Sequence, residues 1–156
     1  GQGTTFSIYF PHVAVEPVRA SAVEEASTLV RGTETVLVVE DEPGVRQMTV
    51  RMLQRLGYAI LEASSGVEAI ALCEEREGPI DLILTDLIMP ETGGYDLVQQ
   101  ARQLRQDFQV LYMSGYTDDV ISHHGELEPG THLLQKPFGI EQLANQLREI
   151  LDGNRG

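Results

Sequence analysis

The chain has little of what disulfide-bonded, membrane-spanning or nucleic-acid-binding proteins require. It contains one cysteine, Cys73, so no disulfide can form within it. No apolar run approaches the roughly 20 residues that a helix needs to cross a bilayer. Its 11 Lys and Arg residues are outnumbered by 24 Asp and Glu residues, and the formal net charge of -13 repels the phosphates of nucleic acids. We therefore expect neither membrane contact nor nucleic-acid binding from this chain.

The remaining composition favours a globular domain in a reducing compartment. Apolar residues make up 42% of the 156 residues, which suffices for one domain with a core of its own. Cys73 lies in an apolar helical pattern, where a buried and unreactive thiol is the ordinary outcome. The first residue is Gly1 rather than Met, and no signal-peptide pattern follows it. We expect a cytoplasmic piece of a longer protein.

A regular alternation of strand and helix patterns begins at Thr35. Short apolar runs predict five strands, at residues 36–39, 59–61, 82–84, 110–113 and 131–134. Apolar residues at helical spacing, together with one shorter and less apolar stretch, predict five helices, at residues 45–56, 69–73, 97–104, 117–124 and 140–151. Strands that are apolar throughout suit a parallel sheet covered on both faces. The alternation therefore predicts a doubly wound α/β fold.

Polar residues with useful chemistry follow four of the five strands. Glu40 and Asp41 follow the first strand, Asp86 the third, Ser114 the fourth and Lys136 the fifth. Each signal is weak alone, because an acidic strand end or a Lys-Pro pair is usually a solvated turn. Ligands bind at the carboxyl ends of the strands in an open parallel sheet. The coincidence at matching strand ends therefore predicts one site at one edge of the sheet.

These residue types suit the transfer of a phosphoryl group. Three carboxylates in one pocket repel one another, and Mg²⁺, which prefers carboxylate and phosphate oxygens, would remove that repulsion. An ionised Asp86 can attack phosphorus in line and carry an acyl phosphate. The ammonium of Lys136 would offset charge on the phosphoryl oxygens, and Ser114 would hydrogen-bond to one of them.

Four stretches of the chain resemble the receiver domains of response regulators. They read VLVVEDEPGVR, DLILTDLIMPETGGYDL, VLYMSGYTDD and LLQKPF, and the resemblance covers residues 34–152, with residues 153–156 as a tail. It implies a five-stranded parallel sheet in the flavodoxin-like order 2-1-3-4-5, with helices on both faces. It also implies a role in a phosphorelay, with the phosphohistidine of a histidine kinase or phosphotransfer domain as phosphodonor and protein–protein contacts as output.

The resemblance also implies a metal site. Asp86 would be the phosphorylated residue, and it would share Mg²⁺ with Glu40, Asp41 and the backbone carbonyl of Ile88. Many receivers have Asp in place of Glu40. The extra methylene of Glu40 suits a water-mediated contact with the metal at least as well as a direct one.

The same resemblance assigns the phosphoryl partners and exposes one departure. Ser114 and Lys136 would contact the phosphoryl oxygens, and the peptide bond between Lys136 and Pro137 is expected to be cis. Many receivers carry Tyr or Phe three residues before this lysine, where this chain has Leu133. We expect any conformational switch to depend more on Ser114 and on residues 115–125.

The first residues resemble part of another domain. GQGTTFSIYFP is similar to the last glycine-rich box and closing strand of a histidine kinase ATP-binding domain. This implies that residues 1–12 are a remnant of such a domain, that residues 13–33 are a linker, and that the parent is a hybrid histidine kinase, which can be membrane-associated. The chain has no phosphoacceptor His box and no other nucleotide-binding boxes, so we expect no kinase activity or ATP binding from it. His123 and His124 are interpreted as surface residues.

Two other functions compete with a phosphoaccepting receiver. One is a degenerate receiver that binds partners without phosphorylation, and the intact set of Asp41, Asp86, Ser114 and Lys136 argues against it. The other is a phosphatase with an aspartate nucleophile. That family places a second Asp two residues after the nucleophile, where this chain has Ile88, so it ranks last.

Overall fold

The computed structural model describes residues 3–4, 31–115 and 131–153. Its strands are β1 (Thr35–Val39), β2 (Ala59–Ala63), β3 (Leu82–Asp86), β4 (Gln109–Ser114) and β5 (His132–Gln135). The helices in these ranges are α1 (Pro43–Leu56), α2 (Gly66–Glu75), α3 (Gly94–Leu104) and α4 (Ile140–Gly153). Several of the predictions fall outside the described residues. They concern the helix expected over 117–124, the pair His123 and His124, and residues 5–30. None of the described helices is long and apolar enough to cross a bilayer.

The five strands form one parallel sheet in the order β2-β1-β3-β4-β5. This confirms the expected flavodoxin-like topology. The order reverses after β1, which pairs with β2 on one side and with β3 on the other. Because every strand runs in the same direction, all five carboxyl ends lie at one edge of the sheet. The switch point between β1 and β3 therefore stands in the middle of that edge.

Helices cover both faces of the sheet and enclose two apolar cores. Alternate residues of β1 explain the arrangement, since Val36 and Val38 pack on the α1 and α4 side, while Leu37 and Val39 pack on the α2 and α3 side. All four of these side chains are fully buried. Burial on both sides is the reason why the central strands read as continuous apolar runs rather than alternating ones.

Helix α1 buries a slightly different face from the one that its sequence pattern indicates. The apolar residues at helical spacing in α1 include Met48, which is 41% exposed, but not Val50, which is buried. Met48 lines a cavity together with residues of the loop after β5. The helix ends at Gly57, directly after the predicted residues 45–56. The φ of Gly57 is 92°, a left-handed conformation that glycine adopts without strain.

Helix α2 begins with a network of side-chain caps. The hydroxyl of Ser65 accepts a hydrogen bond from the N–H of Glu68 at 3.2 Å. The Glu68 carboxylate in turn accepts from both the N–H and the hydroxyl of Ser64, each at 2.7 Å. One orphan donor of the helix, the Glu68 N–H, and the N–H of Ser64 just before the helix are thereby satisfied by side chains.

Candidate functional site

The three predicted carboxylates come together at the carboxyl edge of the sheet. Glu40 and Asp41 directly follow β1, and Asp86 is the last residue of its neighbour β3. One carboxylate oxygen from each residue lies within 4.8 Å of the others. Glu40 is buried, Asp86 is partly buried and Asp41 is exposed. The expected acidic cluster is therefore present, with an open side at Asp41.

Lys136 lies between two of these carboxylates. Its Nζ is 2.6 Å from Oε2 of Glu40 and 2.7 Å from Oδ2 of Asp86. The Lys136 and Asp86 side chains are 19% and 15% exposed, and that of Glu40 only 1%. Hydrogen bonds between charged groups of this length are among the stronger ones in proteins. The ammonium offsets much of the repulsion between Glu40 and Asp86.

The pKa directions follow from burial and from this contact. Burial raises the pKa of Glu40, and its hydrogen bond and attraction to Lys136 only partly counter that effect. Burial would lower the pKa of Lys136, but the hydrogen bonds to Asp86 and Glu40 outweigh it, so the pKa is raised. Lys136 therefore keeps its positive charge at neutral pH, as a partner of phosphoryl oxygens must.

The backbone of Asp86 is held by the start of α3. The N–H of Gly94 donates to the carbonyl oxygen of Leu87 at 3.0 Å. A Cβ at Gly94 would lie 2.1 Å from the carbonyl oxygen of Asp86, so the helix can approach this closely only with glycine there. The hydroxyl of Thr85 donates to the same Asp86 carbonyl at 3.0 Å. Neither Gly94 nor Thr85 was predicted as part of the site, although the Gly93-Gly94 pair at the start of α3 was a visible signal for a close approach.

Ser114 and Lys136 lie side by side at the ends of β4 and β5. The N–H of Lys136 donates to the carbonyl oxygen of Ser114 at 2.7 Å, and Ser114 is 3% exposed. The peptide bond between Lys136 and Pro137 is cis, as expected. Four of the five strands thus contribute a predicted side chain to one edge of the sheet.

The donor set fits a divalent cation such as Mg²⁺. Mg²⁺ prefers a few carboxylate oxygens and retains several waters. Three carboxylates within reach of one another, one of them exposed, meet the first requirement, and the open side at Asp41 leaves room for the second. Ile88 is close to this cluster, since its N–H donates to Oδ1 of Asp86 at 3.3 Å. A metal contact of its carbonyl stays a prediction.

Arg46 is a residue of the site that the sequence analysis did not single out. Its Nη1 donates to the carbonyl oxygen of Glu40 at 2.6 Å and lies 3.4 Å from that of Asp41. Its position in the first turn of α1, a few residues after the acidic pair, was the available signal. A cavity of about 460 Å³ adjoins the site, lined by Val45, Met48, Gly115 and residues 135–138.

The expected switch elements are described only in part. Leu133 is partly buried on β5 and lies opposite Tyr112 of β4, and it packs against the core on the α2 and α3 side. Residues 116–130 lie outside the described residues. The effect of Leu133 on switching stays a prediction.

Comparisons with known proteins agree with this geometry. The family model of the response regulator receiver domain matches residues 36–148. Sensor kinase CckA of Brucella abortus is 39% identical over 160 residues, which cover 97% of this chain and 17% of the kinase. Sensor protein EvgS of Escherichia coli O157:H7 is 32% identical over 155 residues, covering 96% of this chain and 12% of EvgS. The chain thus spans less than a fifth of either relative.

A solved structure leads to the same family. The crystal structure of the receiver domain from the hybrid histidine kinase CckA superposes with a TM-score of 0.62 at 37% identity, covering 74% of this chain and 96% of that one. The matched family region extends from β1 into α4 and includes every residue of the acidic cluster. The chain belongs to the response regulator receiver domain family of two-component systems.

Proposed function

We propose that this chain accepts a phosphoryl group on Asp86 from the phosphohistidine of a histidine kinase or a phosphotransfer domain. The observation that carries the proposal is the position of Asp86, which has the Lys136 ammonium 2.7 Å from one oxygen and two further carboxylates within 4.8 Å. A nucleophile, a cation for phosphoryl oxygens and hard oxygen ligands for a metal are thus assembled around one residue.

The transfer balances without a further reactant. A carboxylate oxygen of Asp86 attacks phosphorus, the P–N bond to the donor imidazole breaks, and that nitrogen keeps the electron pair and takes up a proton. The Lys136 ammonium turns from Asp86 to an oxygen of the transferred group, and the Ser114 hydroxyl donates to another. Mg²⁺ would be held by Asp41, Asp86, Glu40 and the Ile88 carbonyl. When bound, it supplies positive charge that offsets the negative charge of the phosphoryl oxygens. The product is an acyl phosphate on the chain.

We further propose that the parent protein is a hybrid histidine kinase with this receiver near its C-terminus. The alignments with CckA and EvgS cover 97% and 96% of the chain. The match to the receiver family model, in contrast, begins at residue 36 and ends at residue 148. The similarity to the two kinases therefore extends into the leading segment. This supports residues 1–12 as the end of an ATP-binding domain, 13–33 as a linker and 34–152 as the receiver, on the cytoplasmic side.

Intact-mass measurement after incubation with acetyl phosphate and Mg²⁺ tests the acceptor. We expect a gain of one phosphoryl group in the wild type, no gain in Asp86→Asn, and an unchanged gain in Asp96→Asn, an exposed aspartate on α3. A persistent adduct in Asp86→Asn would assign the acceptor elsewhere. No adduct from acetyl phosphate or from a phosphorylated donor domain would instead favour a phosphorylation-independent interaction module.

A further inference from the structure

The loop between β1 and α1 carries the acidic pair, yet the helix that follows begins without a side-chain cap. Within the described residues, Glu42 at the N-cap makes no capping hydrogen bond with its side chain. Pro43 has no N–H to donate. The Glu42 N–H does reach Oε1 of Glu40, but at 3.4 Å this contact is long. These contacts alone hold the loop weakly.

Arg46 supplies a stronger restraint on the same loop. Its guanidinium folds back from the first turn of α1, with Nη1 donating to the Glu40 carbonyl oxygen at 2.6 Å and lying 3.4 Å from that of Asp41. The Arg46 N–H donates to the carbonyl oxygen of Glu42 at 3.0 Å, which fixes the base of its own side chain. The short hydrogen bond from this charged donor to the Glu40 carbonyl oxygen limits the rotation of the peptide that joins the two acidic residues.

We propose that Arg46 is a positioning residue for Mg²⁺ binding, because it holds the backbone of Glu40 and Asp41 so that their carboxylates converge with that of Asp86. This inference rests on the proposed function, since it takes the acidic cluster to be the Mg²⁺ site. Arg46 itself is a cation and does not bind the metal.

Positioning and charge predict opposite effects of removing Arg46. A guanidinium near the site repels a divalent cation, so a role through charge alone means that Mg²⁺ binds more tightly without it. A role through geometry means weaker binding, because loss of a group that orients metal ligands typically costs about 10–100-fold in affinity. The sign of the change in affinity therefore separates the two roles.

Calorimetric titration of the unphosphorylated chain with MgCl₂ measures that sign. The comparison uses wild type, Arg46→Ala, Arg46→Gln and Arg46→Lys, at a temperature where circular dichroism shows each variant folded. We expect a dissociation constant about tenfold weaker for the Ala and Gln variants, and an intermediate value for Lys, which keeps a charged donor. The matched control is Arg51→Ala, an exposed arginine of the same helix, with an unchanged affinity.

Each outcome decides a separate point. Equal or tighter Mg²⁺ binding by Arg46→Ala overturns the inference, even if thermal stability falls. A wild type that binds no Mg²⁺ would instead refute the metal site of the proposed function, and the inference with it. Should the Ala variant not fold, the Gln and Lys variants carry the same comparison, and binding no weaker than wild type in both overturns the positioning role.

Discussion

At Gly94 the lack of a side chain decides how closely α3 approaches Asp86. A Cβ there would lie 2.1 Å from the Asp86 carbonyl oxygen and 3.0 Å from Oγ1 of Thr85. We expect Gly94→Ala to lower the free energy of unfolding by about 1–3 kcal/mol, because backbone must move to relieve the overlap. Urea unfolding measures this loss. Gly139→Ala is the control, since a Cβ there meets no described atom within 4 Å, and a similar loss in both variants would contradict the steric account.

The Lys136 contact with Glu40 also sets the stability of the site. Glu40 is 1% exposed, so removing its cation leaves a buried carboxylate without compensation. We expect Lys136→Met to lose about 3 kcal/mol of unfolding free energy at pH 8. The loss should shrink as pH falls: Lys136 lowers the pKa of the buried Glu40 carboxyl, so the variant without it takes up a proton on Glu40 at higher pH than wild type does. Chemical unfolding at several pH values follows both effects.

A double-mutant cycle isolates this pair from the rest of the cluster. Glu40→Gln combined with Lys136→Met removes both charges, so we expect the double variant to be more stable than Lys136→Met alone. Additive losses would show that the two residues are not coupled. In that case the cost of losing Lys136 would come from Asp86 or from packing.

Among the helices and strands, α2 begins with a cap whose contribution to stability depends on pH. Hydrogen bonds from the Ser64 N–H and hydroxyl lower the pKa of Glu68. A lowered folded-state pKa stabilises the protein above the ordinary glutamate value of 4.5, and that stabilisation is lost as pH falls through the folded value. We therefore expect wild type to be more stable than Glu68→Gln at neutral pH, with the difference narrowing on acidification below 4.5. Thermal unfolding of both proteins at several pH values measures this difference, and a difference that stays constant with pH would contradict the cap.

Strand β5 carries the departure at Leu133. Its side chain packs against the core on the α2 and α3 side and lies opposite Tyr112 of β4, two residues before Ser114. We expect Leu133→Tyr to accept phosphate from acetyl phosphate at the wild-type rate, because the Leu133 side chain packs against the apolar core. We expect its affinity for an output partner to change. Intact mass and partner titration measure the two separately. An equal loss of phosphorylation would place position 133 in the chemistry itself.

At the scale of the molecule, the sequence was most informative where one rule governs many residues. The parallel sheet and its functional edge were predictable, because continuous apolar strands require helices on both faces and parallel strands end at one edge. Arg46 and Gly94 were not, since their roles depend on backbone atoms that only the folded chain brings near them. Met48 falls on the apolar face by periodicity, but its side chain is 41% exposed and lines a cavity with residues of the loop after β5.

A second ionic cluster lies at the end of the sheet opposite to Asp86. The sequence did not indicate it. Nη2 of Arg148 in α4 lies 2.9 Å from Oε2 of Glu34, just before β1, and the side chains are 14% and 8% exposed. Its Nε donates to the Tyr58 hydroxyl at 3.0 Å, and the guanidinium stands 5.4 Å from the centre of that ring. The segment leading into β1 is thereby tied to the last helix, at the end of the sheet away from Asp86.

This tie predicts where the stable receiver begins. Deletion of residues 1–34 should cost about 2 kcal/mol more unfolding free energy than deletion of residues 1–30, because Arg148 loses a carboxylate whose side chain is only 8% exposed. In an Arg148→Met background, the unfolding free energies of the same two deletion variants should differ by less than half as much, because the cation that pairs with Glu34 is gone. Some difference should remain, because the Gly32 N–H also donates to the Leu56 carbonyl oxygen at 3.0 Å. Equal differences in the two backgrounds, measured by urea unfolding, would show that the leading segment is held by backbone contacts rather than by Arg148.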